Sequence, residues 1–145
     1  MKNIFGKKCL LDTNIFIFAY DSKSTHYEKA HVLLTAVEEG KFQCFVALNT
    51  LLEFGAVLTK AYKISPIEVA HDITLLQNSQ KNTILYPTLT VFQEFLALLQ
   101  RDTGVYIYDL FIAATARSYG MDYIITDDRD FARIKGVKVF NPFEK

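Results

Sequence analysis

Apolar positions along this chain follow two spacings. Short runs rich in Val, Ile, Leu and Phe are apolar at nearly every position, while longer stretches repeat an apolar residue every three or four positions. The first kind reads as strands buried on both faces and the second as amphipathic helices. Lys8 to Asp12 is a short strand, and LDTN marks its carboxyl end, where Thr13 or Asn14 is placed to cap the apolar segment IFIFAY. A polar loop, DSKSTH, leads to a helix over His26 to Glu39 with Ala30, Leu33, Leu34 and Val37 on one face, closed by Gly40. Phe42 to Leu48 is a second strand. Asn49 then stands as N-cap of LLEFGAVLTKAY, whose apolar face takes Leu51, Leu52, Phe54, Val57 and Leu58, with Glu53 in the first turns.

Ser65-Pro66 opens another helix, with Ser as cap, Pro as first helical residue and Glu68 at the capping-box position, running to about Asn78. Thr83 to Tyr86 is a strand punctuated by Pro87, Thr90 to Arg101 is helical, and Asp102-Thr103-Gly104 is a turn. Asp109 starts an Ala-rich helix that Gly120 closes in a left-handed conformation. Tyr123 to Ile125 is a short strand ending at Thr126, and Val137 to Phe140 is the last, followed at once by NPFEK. Strands alternating with helices predict one α/β domain over residues 1–145, with a central parallel sheet of four to five strands and helices on both faces. No repeat, low-complexity segment or linker interrupts it.

Composition narrows the class. With 50% hydrophobic residues among 145, disorder is excluded, and the chain is long enough to bury a core. Lys plus Arg and Asp plus Glu balance at 16 each, so a nucleic-acid partner needs a local basic patch rather than overall charge. Cys9 and Cys44 both fall inside strands, which predicts buried, reduced thiols. No apolar run approaches the roughly 18 residues that span a membrane, and MKNIFGKK has no signal-peptide pattern, so the expected location is the cytoplasm.

The chemistry is carried by acids. Asp12 ends an apolar strand, Glu53 lies in a mostly apolar helix start, and Asp109 precedes LFIAATA. Asp127, Asp128 and Asp130 follow YIIT within four residues. Each has a plain structural use: a carboxylate in a first helical turn gains about 0.3–1 kcal/mol from the macrodipole, and DDRD can be a solvated turn. Taken together they point elsewhere. In a parallel sheet all strand carboxyl ends, and the amino ends of the following helices, share one rim, where open α/β sheets bind ligands. Carboxylates converging there raise one another's pKa unless a cation sits among them. An all-oxygen, anionic set suits Mg²⁺ or Mn²⁺, and such a site suits in-line hydrolysis of phosphate esters. Thr126, Thr13 and Asn14 are supporting groups that position water or cap turns.

LDTN, NTLLEF, DLFIAATA and TDDRDF, in this order over nearly the whole chain, resemble the PIN-domain nucleases, in particular the VapC-type toxins of toxin–antitoxin pairs. The resemblance implies a PIN-like three-layer α/β/α fold and a Mg²⁺- or Mn²⁺-dependent endoribonuclease. It places the acidic quartet on Asp12, Glu53, Asp109 and Asp128, with Asp127 and Asp130 as alternatives for the fourth ligand. It also implies an RNA substrate, a homodimer, and a small antitoxin whose tail enters the acidic groove. Possible phosphate contacts are Arg117, Arg129 and Arg133, with Lys135 and Lys138, and Tyr106 and Tyr108 are placed to stack on a base. The competing use of the same fold is a non-catalytic RNA- or protein-binding module. A phospho-acceptor domain fits poorly, since no Asp ends the second or third strand. A metal-free ribonuclease built on His26, His31 and His71 also fits poorly, because His26 and His31 are five apart and share no helix face.

Overall fold

The computed structural model describes residues 1–101 and 104–144. Its elements run in the expected order: β1 (Lys8–Leu11), α1 (Thr13–Tyr20), α2 (Tyr27–Glu38), β2 (Gln43–Ala47), α3 (Leu48–Lys60) and α4 (Pro66–Asn78) come first. Then follow β3 (Asn82–Leu85), α5 (Leu89–Leu99), α6 (Ile107–Ser118), β4 (Tyr123–Ile125) and β5 (Val139–Phe140). A 3-10 turn over Arg129–Arg133 joins the last two strands. Asp102 and Thr103, in the turn expected after α5, lie outside the described residues.

All strands pair in parallel, in the order β3-β2-β1-β4-β5. Alternation along the central strands divides the core in two. Cys9 and Leu11 of β1 and Ile125 of β4 pack with α1, α2, α3 and α4 on one face. Leu10 and Ile124 point the other way, onto α5, α6 and Phe131. Three layers result, as the pattern of doubly apolar strands requires. Cys9 and Cys44 lie side by side in register as free, buried thiols, and burial pushes both up to about 12. No helix among the described residues is long and apolar enough to cross a membrane.

Local chemistry explains most element ends and corrects three expectations. Ser65 and Glu68 close the capping box reciprocally at the start of α4. The cap of α1, however, is Asp12 rather than Thr13 or Asn14: its Oδ1 accepts from the Thr13 amide at 2.7 Å. Asn49 is not a cap either. β2 turns straight into α3, Ala47 takes the N-cap position, and Asn49 lies inside the first turn with its side-chain amide nitrogen buried and unpaired. Leu52, expected inside, is 65% exposed, because the buried face of α3 runs through Thr50, Leu51, Phe54, Gly55 and Leu58. Gly55 is small for a reason: a Cβ there would stand 3.0 Å from Ile73 Cδ1 and 3.3 Å from Val69 Cγ1 of α4.

Candidate active site

The chain winds outward from β1 in both directions, to β2 and β3 on one side and to β4 and β5 on the other. A crevice therefore opens beyond the carboxyl ends of β1 and β4, where successive crossovers diverge. Two backbone bonds extend the ladder to that rim: the Asp12 amide donates to the Ile125 carbonyl at 3.0 Å, and the Thr126 amide to the Phe140 carbonyl at 3.2 Å. Asp12 and Thr126 are thus held side by side by main chain before any side chain acts.

Side chains then lock the pair. The Thr126 hydroxyl donates to Asp12 Oδ2 at 2.7 Å. It accepts from Asn14 Nδ2 at 2.9 Å and from the Asp128 amide at 3.0 Å. One donation and two acceptances exhaust a hydroxyl, so Thr126 is fully committed to arranging its neighbours. Thr13 reaches across to α3, its hydroxyl donating to Glu53 Oε2 at 3.0 Å. Asp109 enters from the first turn of α6, and Asp128 from the turn after β4. Asp12, Glu53, Asp109 and Asp128 line one cleft of about 270 Å³, together with Thr13, Asn14, Ile17, Phe18 and Val57. Four carboxylates from four separated segments thus share a cleft lined by no basic side chain.

Electrostatics follow from that crowding. Asp12 is buried, and desolvation, with Glu53 and Asp128 nearby, pushes its carboxyl up to about 6 against the opposing hydrogen bonds from Thr126 and Thr13. Asp109 is pushed up to about 7, by desolvation first and then by Asp12, Asp128, Glu53 and Asp130. Raised carboxyls, an all-oxygen donor set and the buried, unpaired Asn14 Oδ1 fit a hard divalent cation. The acids do not yet close on one point: among the described residues no three His, Cys, Asp or Glu side chains are gathered tightly enough to hold an ion as they stand. The arrangement is a shared cleft rather than a finished coordination sphere.

The other expected site residues divide clearly. Asp127 does not line the cleft: its Oδ1 accepts from Asn141 Nδ2 at 2.9 Å and its Oδ2 lies 3.8 Å from His26 Nε2. Asp130 sits 3.2 Å from Arg133 Nη1, so its charge reaches the site but its carboxylate is engaged outside it. Arg129 and Arg133 lie on the turn directly after Asp128. Arg117 does not belong with them. It lies in the last turn of α6, away from the Asp109 end, with Nε 2.8 Å from Glu94 and Nη1 donating to the Lys135 carbonyl at 3.0 Å. Tyr106 and Tyr108 flank the amino end of α6 as an exposed pair with ring centroids 5.4 Å apart. None of the three histidines lines the acidic cleft.

Asn141 and His26 were not legible as neighbours of this site. A signal exists for Asn141: it follows Phe140 as Thr126 follows Ile125, in the same register, so the two polar residues leave adjacent strands together.

Comparison with known proteins supplies the family. The sequence matches the PIN domain over residues 9–137. No curated protein sequence matches. Among solved structures, the chain is similar to Mycobacterium tuberculosis VapC20, described as a sarcin–ricin loop cleaving toxin, with a TM-score of 0.71 at 16% identity over 86% of this chain and 92% of that one. FitAcB from Neisseria gonorrhoeae gives 0.71 at 21% identity, covering 94% and 99%. A toxin–antitoxin complex from Klebsiella pneumoniae gives 0.65 at 23% identity, with 94% and 99% covered. At these identities the likeness is one of fold. The domain match spans most of the chain and carries the assignment: this protein belongs to the PIN domain family.

Proposed function

We propose that this chain is a divalent-metal-dependent endoribonuclease, acting in the cytoplasm as the toxin of a toxin–antitoxin pair. The observation that carries the reading is the convergence of Asp12, Glu53, Asp109 and Asp128 on one cleft without a compensating basic side chain. Family membership supports it, as does a fold shared with a toxin described as cleaving the sarcin–ricin loop and with a toxin–antitoxin complex. Bound Mg²⁺ or Mn²⁺ would supply positive charge for in-line attack on an RNA phosphodiester. The chain's own part is to orient: Thr126 fixes Asp12, Thr13 fixes Glu53, and the Asp128 amide is tied back to Thr126. Arg129 and Arg133, on the turn directly after Asp128, are the basic residues this reading assigns to substrate phosphates, which would replace their exposed partners Glu144 and Asp130.

A homodimer belongs to the same reading. α5 exposes Leu89, Phe92, Leu96 and Leu99 at helical spacing, an apolar stripe of the kind that partners cover. The small antitoxin partner rests on the company of the fold rather than on any contact in this chain.

The test is cleavage of RNA by purified protein with Mn²⁺, with EDTA, and in Asp109→Asn. Cleavage should stop in EDTA. It should fall by more than about 100-fold in Asp109→Asn, since even the outer partners of metal ligands are worth about 10–100-fold. Unchanged cleavage in either arm overturns the proposal. The open spacing of the acids favours one competing reading, a non-catalytic RNA- or protein-binding module. RNA bound but uncut, with no rise in melting temperature on adding Mn²⁺, would establish that alternative.

A further inference from the structure

Two adjacent aspartates follow Thr126, and their side chains are chemically identical. Asp128 is in extended backbone (φ −77°, ψ 117°), where neighbouring side chains point to opposite sides. One carboxylate of the pair therefore faces the cleft and the other faces away, and nothing in their chemistry decides which.

The deciding contacts lie behind the site. Asp127 Oδ1 accepts from Asn141 Nδ2 at 2.9 Å, and its other oxygen stands 3.8 Å from His26 Nε2. Asn141 is itself fixed, because its Oδ1 accepts from the Phe143 amide at 2.8 Å. Phe143 is held in turn: its carbonyl accepts from Lys29 Nζ at 2.8 Å, and its buried ring packs on His26 and Phe18 at centroid distances of 4.5 and 5.1 Å. His26 also packs on Phe18, 4.9 Å away, and Phe18 lines the acidic cleft. The end of the chain, the start of α2 and the wall of the cleft are thus tied to one carboxylate.

We infer that this clasp of Asn141 and His26 on Asp127 is the positioning device that leaves Asp128 facing the metal cleft. Neither clasp residue lines the cleft, so both act through Asp127. With Asp127 held outward, the Asp128 amide reaches Thr126 at 3.0 Å, and Asp128 Oδ1 accepts from the Asp130 amide at 2.8 Å. Its Oδ2 carries no hydrogen bond among the described residues. Free of the clasp, the segment would lose its fixed orientation, and Asp128 would present its carboxylate to the cleft, tied to Thr126 and Asp130, only part of the time.

The inference rests on the metal-dependent reading, and its test separates the two. Mn²⁺ is titrated into the full-length, metal-free protein, with free Mn²⁺ followed by electron paramagnetic resonance and folding by circular dichroism. Asn141→Leu, which removes the amide at similar size, should weaken Mn²⁺ binding by about 10-fold, the lower end for groups that hold a metal ligand in place. Asp127→Asn keeps the oxygen that Asn141 donates to, so it should bind within about twofold of wild type, while Asp128→Asn loses at least as much as Asn141→Leu. Should Asn141→Leu not fold, Asn141→Asp keeps the acceptor for the Phe143 amide but sets a like charge against Asp127, and the same weakening is expected. A folded Asn141 variant with wild-type affinity overturns the clasp. So does Asp127→Asn losing as much as Asp128→Asn, which would make Asp127 the ligand. A wild-type protein that binds no Mn²⁺ removes the metal reading and the clasp with it.

Discussion

The two ends of α6 carry charges of the sign that the helix dipole favours, Asp109 in the first turn and Arg117 in the last. What separates them is company. Arg117 is paired with Glu94 at 2.8 Å and donates to the Lys135 carbonyl, and Gly120 closes the helix behind it. Asp109 has no basic partner among the cleft residues, and its neighbours there include three more carboxylates. Dipole physics places both groups equally well, so placement alone says nothing about function. An end whose charge is met by its surroundings is architecture. An end whose charge is opposed by them calls for a compensating charge that the cleft residues do not supply.

Measurement of stability against pH breaks this comparison most sharply. Asp109 and Asp12 titrate near 7 and 6 in the fold, above the ordinary carboxylate value, so between about pH 4 and 7 the folded chain binds more protons than the unfolded one. Stability from these groups is fully present below about pH 4 and is lost as pH rises through 6 and 7. Asp109→Asn should therefore stabilise the metal-free protein at pH 8, by about 1–2 kcal/mol after allowing for solvent screening of a half-buried group. The same substitution should leave stability at pH 4 nearly unchanged. Urea denaturation in EDTA at both pH values reads the difference. A variant less stable than wild type at pH 8 would mean that the carboxylate is satisfied within the chain.

The same contrast explains what was legible beforehand. Strands and helices could be placed because they follow from local periodicity, and the rim of acids follows once the sheet is parallel. Asp12, Glu53 and Asp109 needed no more than that to fall into one cleft. Which of Asp127, Asp128 and Asp130 faces the cleft depends on contacts that local pattern does not show: Asn141 and His26 for Asp127, and the tight turn with Arg133 for Asp130. The pairing of Arg117 was not legible for a related reason. Its partner Glu94 belongs to α5, and only helix packing brings the two together. Asn49 failed as a cap because β2 runs into α3 without an intervening loop. Cap residues are local signals, but where a strand stops is decided by its neighbours.

Arg117→Ala sharpens the comparison from the other end. It removes a half-buried ion pair and a charged hydrogen bond to the Lys135 carbonyl, with an expected loss of about 1–2 kcal/mol. RNA cleavage and Mn²⁺ affinity should not change. Reduced cleavage at full stability would return Arg117 to the role of phosphate contact.

The smallest effect lies one turn further on, at Gly120. Its φ is +65°, its amide donates to the Arg117 carbonyl at 3.2 Å, and the Met121 amide donates to the Ala116 carbonyl at 2.9 Å, so the helix stops by turning left-handed. No heavy atom lies within 4 Å of where a Cβ would stand, so packing contributes nothing to the choice of glycine. Gly120→Ala should then cost about 1 kcal/mol through backbone conformation alone, lowering the melting temperature by roughly 2–4 °C for a chain of this size. Gly120→Asn should lose less, because Asn tolerates the left-handed region better than Ala. Cleavage should be untouched in both, since the site lies at the opposite end of α6. Equal losses for Ala and Asn would show that something other than backbone conformation fixes this end, and a fall in cleavage would show that the two ends of the helix are coupled.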